Sequence, residues 1–284
     1  MKQSKLDPMY EKRSEDERVL LWPDGAPGAL GENEEDQPTL AIYHARNTDP
    51  DGPAVIVFPG GGYGFLAVDH EGEQVAQWLV ARGISAYVLR YRIAPKYKHP
   101  APLQDAQRAL RMVRFRRSQR SRWDFAPSRI GVWGFSAGGH LASTLATHFD
   151  SGDATATESI ERASCRPNFQ ILCYPVITLK PPHAHGGSRD NLLGQNPNAA
   201  LLESLCNETQ VTPQTPHAFL FHTADDGAVP VENSLLYFQS LKNCGVPAEL
   251  HVYRKGAHGV GLAQDDARLR EWPDALASWL HQYA

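Results

Sequence analysis

The chain predicts an α/β protein built on a mostly parallel sheet, and three features of its 284 residues point there. From residue 54 onward, short apolar runs alternate with longer helical patterns, the rhythm of strand–helix–strand units. Several of those runs are almost continuously apolar, as strands covered on both faces must be. A Gly-x-Ser-x-Gly string also falls where one such run gives way to a helical pattern. The expectation is one domain, residues 19–284, with about eight strands, helices on both faces and a small loop-rich cap.

Taken in order, residues 1–18 are charged and polar and read as a loose arm. They lack the apolar stretch of a secretory signal, so a cytoplasmic location is expected. Leu20-Leu21-Trp22 and Thr39-Leu40-Ala41-Ile42-Tyr43 are candidate early strands, separated by the Pro- and Gly-rich segment 23–38. The core strands follow as AVIVFP (54–59), SAYVLRY (85–91), RIGVWGF (129–135), FQILCYP (169–175), AFLFHT (218–223) and ELHVY (249–253). Helical patterns lie between and after them at 72–82, about 103–121, 138–148, 233–244 and about 266–282. The segment 176–216 breaks the rhythm, being rich in Pro, Asn, Gly and His. An insertion there overhangs the carboxyl ends of the strands, where open α/β sheets place ligands, and it reads as a substrate-binding cap.

The bulk numbers exclude several classes. With 42% apolar residues and a formal net charge of −4, the chain has material for a core and no pull towards polyanions. The basic run Arg114 to Arg122 ends a helical pattern, where cations suit the helix dipole, so nucleic acid is not expected as a partner. No apolar run approaches the roughly 18 residues of a membrane span. The cysteines at 165, 173, 206 and 244 have neither metal-site nor redox-motif spacing and read as reduced thiols. His183 and His185 lack further ligands at zinc-site spacing and read as cap residues near the substrate entrance. No metal or cofactor is implied.

The chemistry concentrates in four places. Ser136, within Gly134-Phe135-Ser136-Ala137-Gly138, sits between a strand and a helix, where a sharp turn exposes the hydroxyl and needs small neighbours. A serine needs a base, and His258 follows the last strand in the flexible Gly256-Ala257-His258-Gly259. The imidazole in turn needs a carboxylate. Asp225 and Asp226 both follow the strand at 218–223, and Asp226, which opens a D-x-x-V-P turn, is preferred. Donors for an oxyanion are expected from the backbone N–H of Ala137 and from Gly61 or Gly62 in Pro59-Gly60-Gly61-Gly62. That Gly run has no P-loop lysine and does not match a dinucleotide fingerprint. Tyr63 follows it and is expected to shape the substrate pocket. His140, His222 and His251 lie within elements and read as structural.

With these residues in place, the chain resembles the esterase/lipase branch of the α/β-hydrolase superfamily, close to acetyl-xylan-esterase-like and feruloyl-esterase-like carbohydrate esterases. The resemblance runs nearly end to end. It covers Trp22-Pro23, Pro59 to Tyr63, Tyr91-Arg92-Ile93-Ala94-Pro95, Pro100 to Ala109, Gly134 to His140, Asn191-Leu192-Leu193-Gly194, Asp226 to Pro230 and Gly256 to Gly259. It implies a Ser136, Asp226, His258 triad, an oxyanion loop at the Gly run, and short-chain ester substrates, acetyl esters on carbohydrates such as xylan among them. The Gly run carries proline where many lipase-like relatives carry histidine. Its donors are backbone groups, so the chemistry is not threatened. Similar sequences are sometimes labelled xylanase-like, but a glycosidase needs two carboxylates flanking the scissile bond, and no such pair accounts for the Ser/His/Asp set. Two rival readings are an amidase, peptidase or arylformamidase-like hydrolase on the same fold, and a non-catalytic binding protein on a hydrolase scaffold.

Overall fold

The computed structural model describes residues 15–45, 52–119 and 129–283. Its strands are β1 (Glu17–Leu20), β2 (Thr39–Tyr43), β3 (Ala54–Phe58), β4 (Ser85–Arg90), β5 (Ile130–Phe135), β6 (Phe169–Cys173), β7 (His217–Thr223) and β8 (Ala248–Tyr253). They form a single eight-stranded sheet in the order β1-β2-β4-β3-β5-β6-β7-β8. Strand β2 is antiparallel to β1 and β4, and the remaining pairs are parallel. This is the α/β-hydrolase architecture.

The helices are α1 (Gln74–Val80), α2 (Ala101–Ser118), α3 (Ala137–Thr147), α4 (Gly186–Leu193), α5 (Ala199–Ser204), α6 (Glu232–Asn243) and α7 (Trp272–Tyr283). A π-helical turn, Asp69–Glu73, leads into α1.

Alternation along each strand divides the core in two. In β3, Ala54, Ile56 and Phe58 join the layer formed with α2, α3 and α6. Val55 and Val57 join the layer formed with α1 and α7. The second layer holds an aromatic stack in which Trp272 lies over Phe221 at 4.4 Å and 9°, with Trp133 edge-on to Trp272 at 6.0 Å. Burying each such side chain contributes about 1.5–3 kcal/mol.

A buried ion pair ties the sheet to the first layer. Just after β4, the Arg92 guanidinium donates to the Asp105 carboxylate on α2 at 2.7 and 3.1 Å, and the Arg92 backbone N–H adds a 2.8 Å bond. Burial pushes the Asp105 carboxyl up to about 6, with Arg92 opposing it.

Three boundaries differ from the sequence reading. Glu17 and Arg18, placed in the loose arm, pair with Ile42 and Ala41 as an edge strand, which tolerates charge because one side faces solvent. The arm's residues 1–14 lie outside the described residues. Helix α2 ends at Ser118 rather than near 121, and residues 120–128, with the end of the basic run, are not described. Helix α7 starts at Trp272 rather than near 266, because the Asp266 side chain accepts from the Arg268 backbone at 2.8 Å and favours a turn there.

The described part of the basic run is used inside the molecule. Arg114 donates to the carbonyls of Ser164 and Arg166, Arg116 pairs with Glu17, and Arg117 donates to the Gly52 carbonyl. Among the described residues, no helix is long and apolar enough to cross a membrane.

Strand order positions the site. From β3 the chain moves to β4 on one side and then returns to β5 on the other. The loops after β3 and β5 therefore leave the sheet side by side, with Phe58 level with Gly134, and open a crevice between them.

Candidate functional site

Ser136 joins β5 to α3 with φ 51° and ψ −118°, a conformation costly for any residue with a Cβ. Its neighbours hold it there. The Ser136 N–H donates to the Cys173 carbonyl at 3.0 Å, and its own carbonyl accepts from His140 at 3.1 Å and Val176 at 3.0 Å. The flanking glycines are a steric requirement. A Cβ at Gly134 would lie 2.1 Å from the Gly138 carbonyl oxygen, and one at Gly138 would lie 2.1 Å from that of Phe58.

His258 comes from the loop after β8, and its Nε2 lies 2.8 Å from Ser136 Oγ. Its Nδ1 lies 2.7 Å from Asp226 Oδ2. A carboxylate can only accept, so Nδ1 carries the proton and Nε2 is left to accept from the serine hydroxyl. Asp226 Oδ1 accepts from the backbone of Ala228 at 2.9 Å and Val229 at 3.0 Å. Burial pushes this carboxyl up, but hydrogen bonds from His222, His258, Val229 and Ala228 outweigh burial and hold it well below the usual carboxylate range. It is therefore anionic at any working pH.

The neighbouring acid has a different task. Asp225 Oδ1 accepts from the Gly256 N–H at 2.8 Å and so fastens the loop that carries His258. His222 is fully buried, within 2.8 Å of Ser234 Oγ and 3.0 Å of the Val229 carbonyl, and backs Asp226 from 3.4 Å.

The loop after β3 faces Ser136. Gly61 and Gly62 have φ of 128° and 61°. A Cβ at Gly61 would lie 2.1 Å from the Phe65 carbonyl oxygen, so this close turn requires glycine. The N–H groups of Gly61, Gly62 and Ala137 have no hydrogen-bond acceptor among the described residues. The Gly60 N–H, by contrast, is taken by the buried carboxylate of Glu71 at 2.8 Å. Asn191 on α4 donates to the Gly62 carbonyl at 2.8 Å and fixes that peptide.

Tyr63 is not where the sequence reading put it. Its side chain is 1% exposed and turned into the core, because φ 58° at this position directs it under the loop. There its hydroxyl meets His140 Nδ1 at 2.8 Å. The other His140 nitrogen, Nε2, donates to the Leu205 carbonyl at 2.8 Å. Burial pushes the His140 imidazole down to about 4, so it stays neutral and joins the Gly loop to the 176–216 segment.

That segment contains α4 and α5, and α4 lies against the Gly loop. His185 caps α4, its Nδ1 accepting from the Ser188 N–H at 3.2 Å. The neutral ring therefore carries its proton on Nε2, which has no partner among the described residues. Its Cε1 would stand 3.9 Å from a Cβ at Gly62, beside the Gly loop. His183 sits farther out, 3.8 Å from Glu232. Among the described residues, no three His, Cys, Asp or Glu side chains are grouped to hold a metal ion.

Sequence reasoning missed Glu71, Tyr174 and Asn191. Asn191 lay within a quoted motif without a role. Glu71 sits in the charged string Asp69-His70-Glu71-Gly72-Glu73, where nothing distinguishes a buried carboxylate from solvated ones.

The site can be set beside known proteins. A family model described as BD-FAE matches residues 40–241. Endo-1,4-beta-xylanase B of Butyrivibrio fibrisolvens is 37% identical over 81% of this chain and 35% of its own length. Acetylxylan esterase of Xylanibacter ruminicola is 34% identical over 75% of this chain and 42% of its own length. The chain thus spans well under half the length of these two relatives. A solved structure, an acetyl ester-xyloside bifunctional hydrolase from Caldicellulosiruptor lactoaceticus, superposes with a TM-score of 0.87 at 47% identity, covering 95% of this chain and 97% of that one.

Proposed function

The chain belongs to the BD-FAE family, and from that premise we propose that it is a carboxylesterase removing short acyl groups, acetyl foremost, from sugar hydroxyls. We assign Ser136 as nucleophile, His258 as general base and acid, and Asp226 as the carboxylate that orients it. One observation carries this reading: the unbroken hydrogen-bonded line from Ser136 Oγ through His258 to Asp226, 2.8 and then 2.7 Å.

Along that line, Ser136 Oγ attacks the ester carbonyl carbon as its proton passes to His258 Nε2. Negative charge on the carbonyl oxygen falls against the N–H groups of Ala137 and of Gly61 or Gly62, at the positive end of α3. Collapse of the tetrahedral intermediate expels the alcohol, which takes the proton from Nε2. Water then gives a proton to Nε2 and attacks the acyl-serine, releasing the acid and restoring the hydroxyl.

The segment 176–216 serves as the cover over the leaving group in this reading. His185 offers an Nε2–H donor there, and Phe65, 63% exposed next to the Gly loop, offers a flat apolar face. A polyhydroxylated alcohol fits such a pair. Glycosidic cleavage lacks comparable support: Asp226 is bonded to two histidines, Asp225 to Gly256, and Glu71 is buried behind the loop.

Hydrolysis of p-nitrophenyl acetate, butyrate, octanoate and decanoate by the wild type and Ser136→Ala tests the reading, with acetylated xylan, p-nitrophenyl xyloside and aminoacyl-anilides alongside. Short-ester cleavage and acetate release that vanish in Ser136→Ala support it. Anilide or xyloside cleavage faster than ester cleavage refutes it, as does inertness towards every ester.

A further inference from the structure

Glu71 is 2% exposed and has no part in the proton relay, yet it lies at the centre of the site's scaffold. The π-helical turn Asp69–Glu73 exposes Asp69 and His70 while directing Glu71 and Gly72 inward. Its Oε2 accepts from the Gly60 N–H at 2.8 Å, at the root of the Gly loop. Its Oε1 accepts from the Tyr174 hydroxyl at 2.8 Å, and that hydroxyl accepts from the Gly261 N–H at 2.9 Å. The Tyr174 ring lies edge-on to His258 at 5.0 Å. We propose that Glu71 and Tyr174 form a buried brace setting the spacing between the Gly61–Gly62 loop and the His258 loop, and so act as positioning residues for acyl transfer at Ser136. The inference rests on the esterase reading above.

Glu71 fits closely under the Gly loop: a Cβ at Gly60 would lie 2.6 Å from Glu71 Oε2 and 3.0 Å from Ser136 Cβ. A displacement of Glu71 is therefore passed to the Gly loop directly and to the His258 loop through Tyr174 and Gly261. Tyr174 itself holds φ 37°, a strained backbone kept in place by its surroundings.

Hydrogen bonding favours the charged form. As a carboxylate, Glu71 satisfies both donors that point at it, and protonation at either oxygen would leave the Gly60 N–H or the Tyr174 hydroxyl facing a poorer acceptor. Burial pushes the Glu71 carboxyl up, and the Tyr174 and Gly60 bonds pull it back. The other groups facing it are His70 at 3.9 Å, Tyr91, Cys173 and His258. His258 in turn faces Asp226, Glu71, Tyr174 and His185.

The test compares wild type, Glu71→Gln, Tyr174→Phe and the double variant on p-nitrophenyl acetate across pH 5.5–9. The amide cannot accept from both donors, so Glu71→Gln is expected to lower kcat by about 10–100-fold, the loss a misplacement of about 1 Å produces, with KM within about 2-fold. Tyr174→Phe lowers kcat in the same direction, and the double variant is no worse than the poorer single variant, because both cut one brace. Values of kcat within about 2-fold of wild type in both single variants, or a loss that falls on KM rather than kcat, overturn the proposal, as do single losses that multiply in the double variant. Should Glu71→Gln fail to fold, Tyr174→Phe decides, and a wild-type kcat there overturns it. Wild-type inertness on every ester would instead sink the esterase reading itself, and the brace with it.

Discussion

Replacing His140 by Gln removes one titratable group while leaving a donor and an acceptor in its place. The imidazole is completely buried, with Nε2 donating to the Leu205 carbonyl at 2.8 Å and Nδ1 facing the Tyr63 hydroxyl at 2.8 Å. A Gln amide can reproduce both roles. In the folded protein the imidazole stays neutral down to about 4, whereas the unfolded chain takes up its proton near the ordinary value of 6.5. The sign follows from linkage. Wherever the unfolded state binds more protons, stability falls as pH falls, so His140 costs the fold nothing above about 6.5 and progressively more below it. At pH 4.5 the penalty is on the order of 2.5 kcal/mol. Urea unfolding of wild type and His140→Gln between pH 7.5 and 4.5 isolates it. Every other titrating group is common to the two proteins, and any constant offset from imperfect amide geometry cancels in the slope. The wild type should lose about 2.5 kcal/mol relative to the variant across that range, nearly all of it below pH 6.5. A stability difference that stays flat with pH would refute the argument, and with it the neutral, doubly bonded imidazole.

Three further outcomes follow from the geometry. Asp226→Asn should lower kcat by about three to four orders of magnitude, because an amide can present its N–H to His258 and stabilise the wrong tautomer. Asp225→Asn loosens only the Gly256 attachment and should cost less than about 10-fold, so steady-state kinetics on p-nitrophenyl acetate separates the two aspartates. Asp105→Ala leaves the Arg92 guanidinium buried without its carboxylate and should lower unfolding free energy by about 3–5 kcal/mol, read as a reduced urea midpoint.

The sheet was legible because its inner strands β3 to β7 are covered on both faces and announce themselves as apolar runs; β8, a half-exposed edge strand, also falls where a run was read. Strand β1 began earlier than read because Glu17 and Arg18 can occupy an edge without burial. Ser136, Asp226 and His258 could be named from the sequence because each follows a strand at a turn rich in Gly or Pro, and the fold brings them within hydrogen-bonding distance. Tyr63 was misplaced because its direction depends on a positive φ, which neighbouring glycines permit but do not specify. Helix α4, GGSRDNLL, opens with two glycines and has no helical periodicity, so its N-terminal cap by His185 and its tie from Asn191 to Gly62 were invisible. Glu71 shows the same limit more sharply. A π-helical turn breaks the 3.6-residue period, so the inward face cannot be counted off from α1.

The segment 176–216 is fastened to residues that also hold the site, among them Asn191 to the Gly62 carbonyl and the Leu205 carbonyl to His140. On the proposed esterase reading, selection or design for a new alcohol would therefore not act on a free appendage. Changes near either anchor trade specificity against turnover, because the same bonds serve both. The stretch between them, with the exposed face of α5 and the capping Asn198, is where sequence can drift while the site keeps its alignment. Substrate range among relatives should accordingly diversify there first.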